Sequence, residues 1–144
     1  MKTTKVKLLP YEVLEKVSKA KTPITKVKAL RDNDSFALKT ILQVNYRDDI
    51  SFDMPEGAPP YTPDPAPAGY QIKSIDNAIK GLKNCVSSST FPQLKKEQFF
   101  IRLLETVHAE DAKAIIAMKD KALEELYPGL SRKLVEKAYP TLQL

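Results

Sequence analysis

Few side chains in this 144-residue chain are equipped for chemistry, and those few stand alone. His108 is the only histidine and Cys85 the only cysteine. A zinc site of ordinary type draws four ligands from Cys, His and carboxylates, and one Cys with one His falls short of it. Cysteine–histidine catalysis needs both groups within hydrogen-bond reach and a third residue to orient the base. Neither residue lies in a nucleophile elbow or a known protease motif. Cys85 is therefore expected in the core. His108 is expected as a cap or surface residue at the end of the helix before it, where a cation meets the dipole favourably.

The carboxylates Asp48, Asp49, Asp53 and Glu56 could hold a divalent cation or serve as acid and base, given a pocket that separates their pKa values. They border a proline-rich stretch and lack the Gly-centred spacing of a calcium loop, so a solvated acidic rim is expected. Lys80–Gly81–Leu82–Lys83–Asn84 has the residue types of a phosphate loop but not its spacing. The sequence thus assigns no catalytic residue, no metal ligand and no cofactor, and the expected class is non-enzymatic.

Charge is more informative. The net charge is +5, but residues 1–31 hold nine Lys/Arg against two Glu, and the remainder of the chain is slightly acidic. Asymmetry of this kind points to a polyanionic partner or to a contact between the two segments. Lys2, Lys5 and Lys7 are spaced for an extended arm. Lys16 and Lys19 share one helix face, and Lys28 and Arg31 share another, with Lys26 nearby. Such groups bind DNA or RNA by releasing counterions from the backbone, without reading sequence. Only Tyr11 is interleaved with them, so stacking on single strands is not indicated, and no recognition helix with an Arg, Asn and Gln cluster appears.

The elements that position these residues are helical. Pro10 opens a helix carrying Val13, Leu14 and Val17 on one face. Thr22–Pro23 reads as an N-cap with proline at the first helical position, opening a helix with Ile24, Val27 and Leu30 inward. Asp32–Asn33–Asp34–Ser35 stops it and caps a third helix with Phe36, Leu38, Ile41 and Leu42. Six of the eleven prolines and two of the four glycines then fall within residues 54–69. Proline lacks an N–H and fixes φ, so no helix or central strand runs through this stretch. It is expected to lie across the helices as an ordered brace that buries Tyr61 and Tyr70. Alternatively, Pro59, Pro60, Tyr61 and Pro63 are a ligand for an aromatic groove on a partner protein.

Beyond it, Ser74 caps a helix running to about Cys85, and a long helix spans about Gln93 to Val107, with Leu94, Leu103, Leu104 and Val107 in its apolar stripe. Ala109–Glu110–Asp111 opens the next helix with acids in its first turn. Two similar segments, 123–130 and 135–142, each end a helix at Tyr-Pro, with Ser131 capping the second. The expectation is one all-α domain over residues 1–144: an irregular bundle of about seven short helices. Its helical parts are 10–45 and 74–144, joined by a proline-rich ordered loop at 46–73. No apolar run approaches the roughly 20 residues needed to cross a bilayer, so no membrane partner is expected.

Three stretches together carry a resemblance: Val13–Lys21 with Ala29–Ser35, Met54–Tyr61 with Pro63–Asp64, and Gln98–Glu105 with Met118–Lys121 and Tyr127–Leu130. They resemble a family of small uncharacterised proteins encoded by contractile-tailed, largely marine bacteriophages. The resemblance implies a setting, the cytoplasm of an infected bacterium or the virion, and assigns no functional residue. The expected function is binding, to nucleic acid or a nucleic-acid-processing complex. The alternatives are a module that modulates a host protein and a minor virion component.

Overall fold

The computed structural model describes residues 8–144, and the expected all-α architecture is what it contains. The helices are α1 (Pro10–Lys19), α2 (Pro23–Asp32), α3 (Phe36–Tyr46), α4 (Ile75–Ala78), α5 (Gln93–Thr106), α6 (Ala109–Lys119), α7 (Leu123–Leu126) and α8 (Arg132–Ala138). A 3-10 helix, Ile79–Asn84, continues directly from α4. Among the described residues there is no strand, only a single parallel bridge between Asp64 and His108.

Helix starts follow local chemistry. Thr22, Ser35, Ser74 and Ser131 each accept an N–H from three residues on, satisfying one of the donors every helix leaves open at its N-terminus. In α1 the first turn is closed from within, because Glu12 accepts the Leu9 N–H at 2.9 Å. Tyr127 and Tyr139, each followed by proline, end α7 and α8, and both rings are buried. The segment after Ser74 departs from the single helix expected there. Gly81 lies at its centre, costs about 1 kcal/mol of helix propensity, and leaves one α-turn followed by 3-10 winding.

The buried side chains form one cluster drawn from both sides of the proline-rich stretch. Phe100, Leu14, Leu30, Leu38, Ile41, Leu42, Ile79, Leu104, Ile115, Met118 and Leu123 are its largest fully buried members. Full burial of each contributes about 1.5–3 kcal/mol. Helix α2 packs on α1 and α8, α6 packs on α1, α3, α5 and α7, and α5 packs on the 3-10 helix. Three inward assignments need correction. Ile24, Phe36 and Leu94 each fit an apolar stripe but lie in or beside the first turn of their helices and are exposed, Phe36 with Lys80 of the 3-10 helix over its ring.

The proline-rich stretch is tied down along its length. Lys119 Nζ donates to the Pro55 carbonyl at 2.8 Å, and the Gly57 and Thr62 N–H groups donate to Asp120 and Glu105. Lys121 Nζ donates to the carbonyls of Val44, Arg47 and Ile50, holding the chain as it leaves α3. Tyr61 is half-buried against the core. Tyr70, expected to be covered, is 77% exposed because it falls after the last of these ties.

Candidate nucleic-acid interface

The basic residues of the N-terminal segment divide by what they touch. Lys2, Lys5 and Lys7 lie outside the described residues. Lys16 and Lys19 on α1, and Lys21 just after it, are exposed and pair with no acid among the described residues. Lys28 is exposed and 3.0 Å from Asp32, one turn on. An exposed pair of that kind is worth about 0.3–0.5 kcal/mol, so a phosphate can displace it.

Lys26 and Arg31 do something else. Lys26 Nζ donates to the Gly129 carbonyl at 3.3 Å. Arg31 donates to the carbonyls of Lys137 and Ala138 at 2.8 and 3.1 Å. Those carbonyls have no partner within α8, so the guanidinium serves as its C-terminal cap, where a cation is also favoured by the dipole. Ser18 Oγ on the Pro128 carbonyl (2.7 Å) and Tyr139 OH on the Leu30 carbonyl complete the seam that holds α8 against α2 and the turn before α8 against α1.

The sequence reading missed the consequence of this seam. Helix α8 packs on α2 and carries Lys133 and Lys137, both exposed, while its Arg132 reaches the Tyr46 carbonyl at the end of α3. Lys137 lines one open groove with Ile24, Val27, Lys28, Arg31 and Asp32. About a hundred residues separate the two contributions, so only long-range contacts such as those of Arg31, Lys26 and Tyr139 reveal the union.

The proline-rich residues make a different feature. Pro59 and Pro60 form one wall of a groove whose other wall is Leu94, Phe100 and Ile101 of α5, with Lys119 at one side. Tyr61 packs inward, and Pro63 is exposed. These four residues therefore do not present one continuous face.

The isolated chemical groups are also accounted for. Cys85 is buried, its thiol is pushed up to about 11 by burial, and it donates to the Gly81 carbonyl, so it is not a thiolate near neutral pH. His108 does not cap α5, as expected, but α6: its Nδ1 accepts the Glu110 N–H at 3.0 Å. Its backbone follows the last turn of α5 in extended conformation, which turns the ring toward the following helix. The ring stacks on Tyr11 with centroids 4.8 Å apart. Asp48, Asp49, Asp53 and Glu56 are exposed, with Asp49 paired to Arg47, and no group of three potential metal ligands occurs among the described residues.

Asp111 was not singled out beyond its place in a first turn, yet it is the most perturbed carboxylate. It is fully buried, and Oδ1 accepts the Tyr11 N–H of α1 at 2.9 Å. Oδ2 has no hydrogen-bond partner among the described residues. Burial raises the carboxyl to about 7, the Tyr11 bond opposes the rise, and Glu12 and Glu110 add to it. Its role is to tie α6 to the N-terminus of α1.

The fold is that of a small all-α protein in which α2 and α8 bring Lys28, Arg31 and Lys137 to one groove. The chain belongs to a family of unknown function, DUF6433, whose model matches residues 13–125. No curated protein and no solved structure matches it. No helix among the described residues is long and apolar enough to cross a membrane.

Proposed function

We propose that the protein binds nucleic acid, alone or within a nucleic-acid-processing complex, through the face built by α1, α2 and α8. The observation that supports this reading is the seam made by Arg31. It brings Lys28 of α2 and Lys137 of α8 to one groove, and the exposed Lys16, Lys19 and Lys21 of the α1 segment and Lys133 of α8 lie on or beside the helices that pack on α2. Phosphate contacts by such groups supply sequence-independent affinity. The same proposal has the protein act in the cytoplasm of an infected bacterium, the setting that the phage resemblance implies. The test is the affinity of purified protein for labelled nucleic acid at about 50 mM salt. A variant with Lys16, Lys19, Lys28, Lys133 and Lys137 replaced by Gln is expected to lose at least tenfold in affinity while its helical circular dichroism is unchanged. Equal affinity of the two proteins would refute the reading.

A second reading has one specific observation in its favour. The apolar groove of about 400 Å³ between Pro59–Pro60 and α5 ends at Leu94, which is 67% exposed. It would suit an apolar segment of a host or phage protein. Leu94→Glu is then expected to abolish capture of that protein without changing nucleic-acid affinity.

A further inference from the structure

We infer that the nucleic acid this face takes is a double helix, gripped by its two backbones and not read for sequence. The inference rests on the proposed function and narrows its substrate class.

The exposed cations do not form one row. They stand on three helices, with α2 packed against both α1 and α8, and neighbouring helix axes lie about 8–10 Å apart. A single strand offers one line of phosphates. A duplex offers two, on either side of grooves about 6 and 12 Å wide, and so matches charges spread across adjacent helices.

Proteins that hold single strands stack the bases on exposed aromatic rings. This face has none. Tyr11 of α1 is stacked on His108, and Tyr127 and Tyr139, flanking α8, are buried with 6% and 7% exposure. The exposed aromatic rings among the described residues, Phe36, Tyr70 and Phe91, belong to other elements. Flipped or splayed bases would find no platform here.

Base reading is equally unprovided for. Sequence is read in the major groove chiefly by Arg, Asn and Gln in bidentate contacts. Helices α1, α2 and α8 contain no Asn or Gln. Their two arginines are engaged, Arg31 with the end of α8 and Arg132 with the Tyr46 carbonyl at 3.3 Å. What remains is lysine, a point charge suited to phosphate.

The experiment measures fluorescence anisotropy with labelled 20-mers: duplex DNA of two unrelated sequences, duplex RNA, and an unstructured single-stranded DNA. Duplex is expected to bind at least tenfold tighter than single strand, with less than threefold difference between the two DNA sequences. The RNA arm tells which double helix is preferred, and tighter binding of either duplex than of the single strand supports the inference. Single strand binding as tightly as duplex would overturn it and leave the proposed function standing. A large difference between the two DNA sequences would overturn the backbone grip. Binding to none of the four at 50 mM salt would overturn the proposed function itself.

Discussion

Replacing Asp111 with Asn isolates the cost of burying one carboxylate. In the folded chain burial raises this group from 3.8 to about 7, whereas in the unfolded chain it titrates as an ordinary aspartate. Between these values the folded state holds a proton that the unfolded state has lost. Stability therefore falls as pH rises from about 4 to about 7 and stays lower above that, the reverse of a salt-bridged aspartate. Three units at 1.36 kcal/mol each set a ceiling of about 4 kcal/mol, and water entering the site on ionisation lowers the realised value to about 1–3 kcal/mol. Asparagine keeps an oxygen for the Tyr11 N–H and carries no charge. Urea unfolding at pH 5, 6, 7 and 8 is the assay, read as the difference between native protein and Asp111→Asn so that other titrating groups cancel. The variant is expected to gain about 1–3 kcal/mol relative to native at pH 8 and to be equal or slightly weaker at pH 5. Parallel curves across the whole range would refute the reasoning, since they would mean that Asp111 titrates alike in both states.

Other expectations follow from the seam around α8. Arg31→Ala removes two charge-assisted hydrogen bonds to the end of α8, and a loss of about 1.5–3 kcal/mol in urea unfolding is expected. Gly129→Ala introduces a Cβ 2.5 Å from Lys26 Nζ at a residue with φ of +98°. The lysine can swing away but the backbone strain remains, so a cost of about 1–3 kcal/mol is expected, with Lys26→Ala in the same background recovering only the smaller, steric part. Replacing the exposed lysines 16, 19, 28, 133 and 137 with Gln is expected to leave the melting temperature within a few degrees of native, because exposed charges contribute little to stability.

What could be read from sequence was local. Thr22–Pro23, Ser35, Ser74 and Ser131 announce helix starts because a cap bonds three residues ahead, within the span a reader can see. Tyr127–Pro128 and Tyr139–Pro140 announce helix ends for the same reason. Exposure was less legible. Ile24 and Leu94 satisfy an apolar period, but whether a neighbour covers them is decided by the packing of distant elements. The proposed interface was legible in half. The N-terminal cations are visible as a composition bias, whereas Lys133 and Lys137 join them only through contacts over about a hundred residues. Lys26 and Arg31 look identical to their free neighbours in sequence, and only their carbonyl partners distinguish them. Asp111 reads as an acid in its own helix's first turn, and its bond to the first turn of α1 is long-range.

The most direct test of the basic face is an amide NMR titration of the isotope-labelled protein with a short DNA duplex at about 50 mM salt. The account predicts that the largest shifts fall on residues 16–31 and 129–138 and collapse as salt is raised to about 200 mM. Absence of shifts, or shifts concentrated on residues 54–63 and α5, would contradict it.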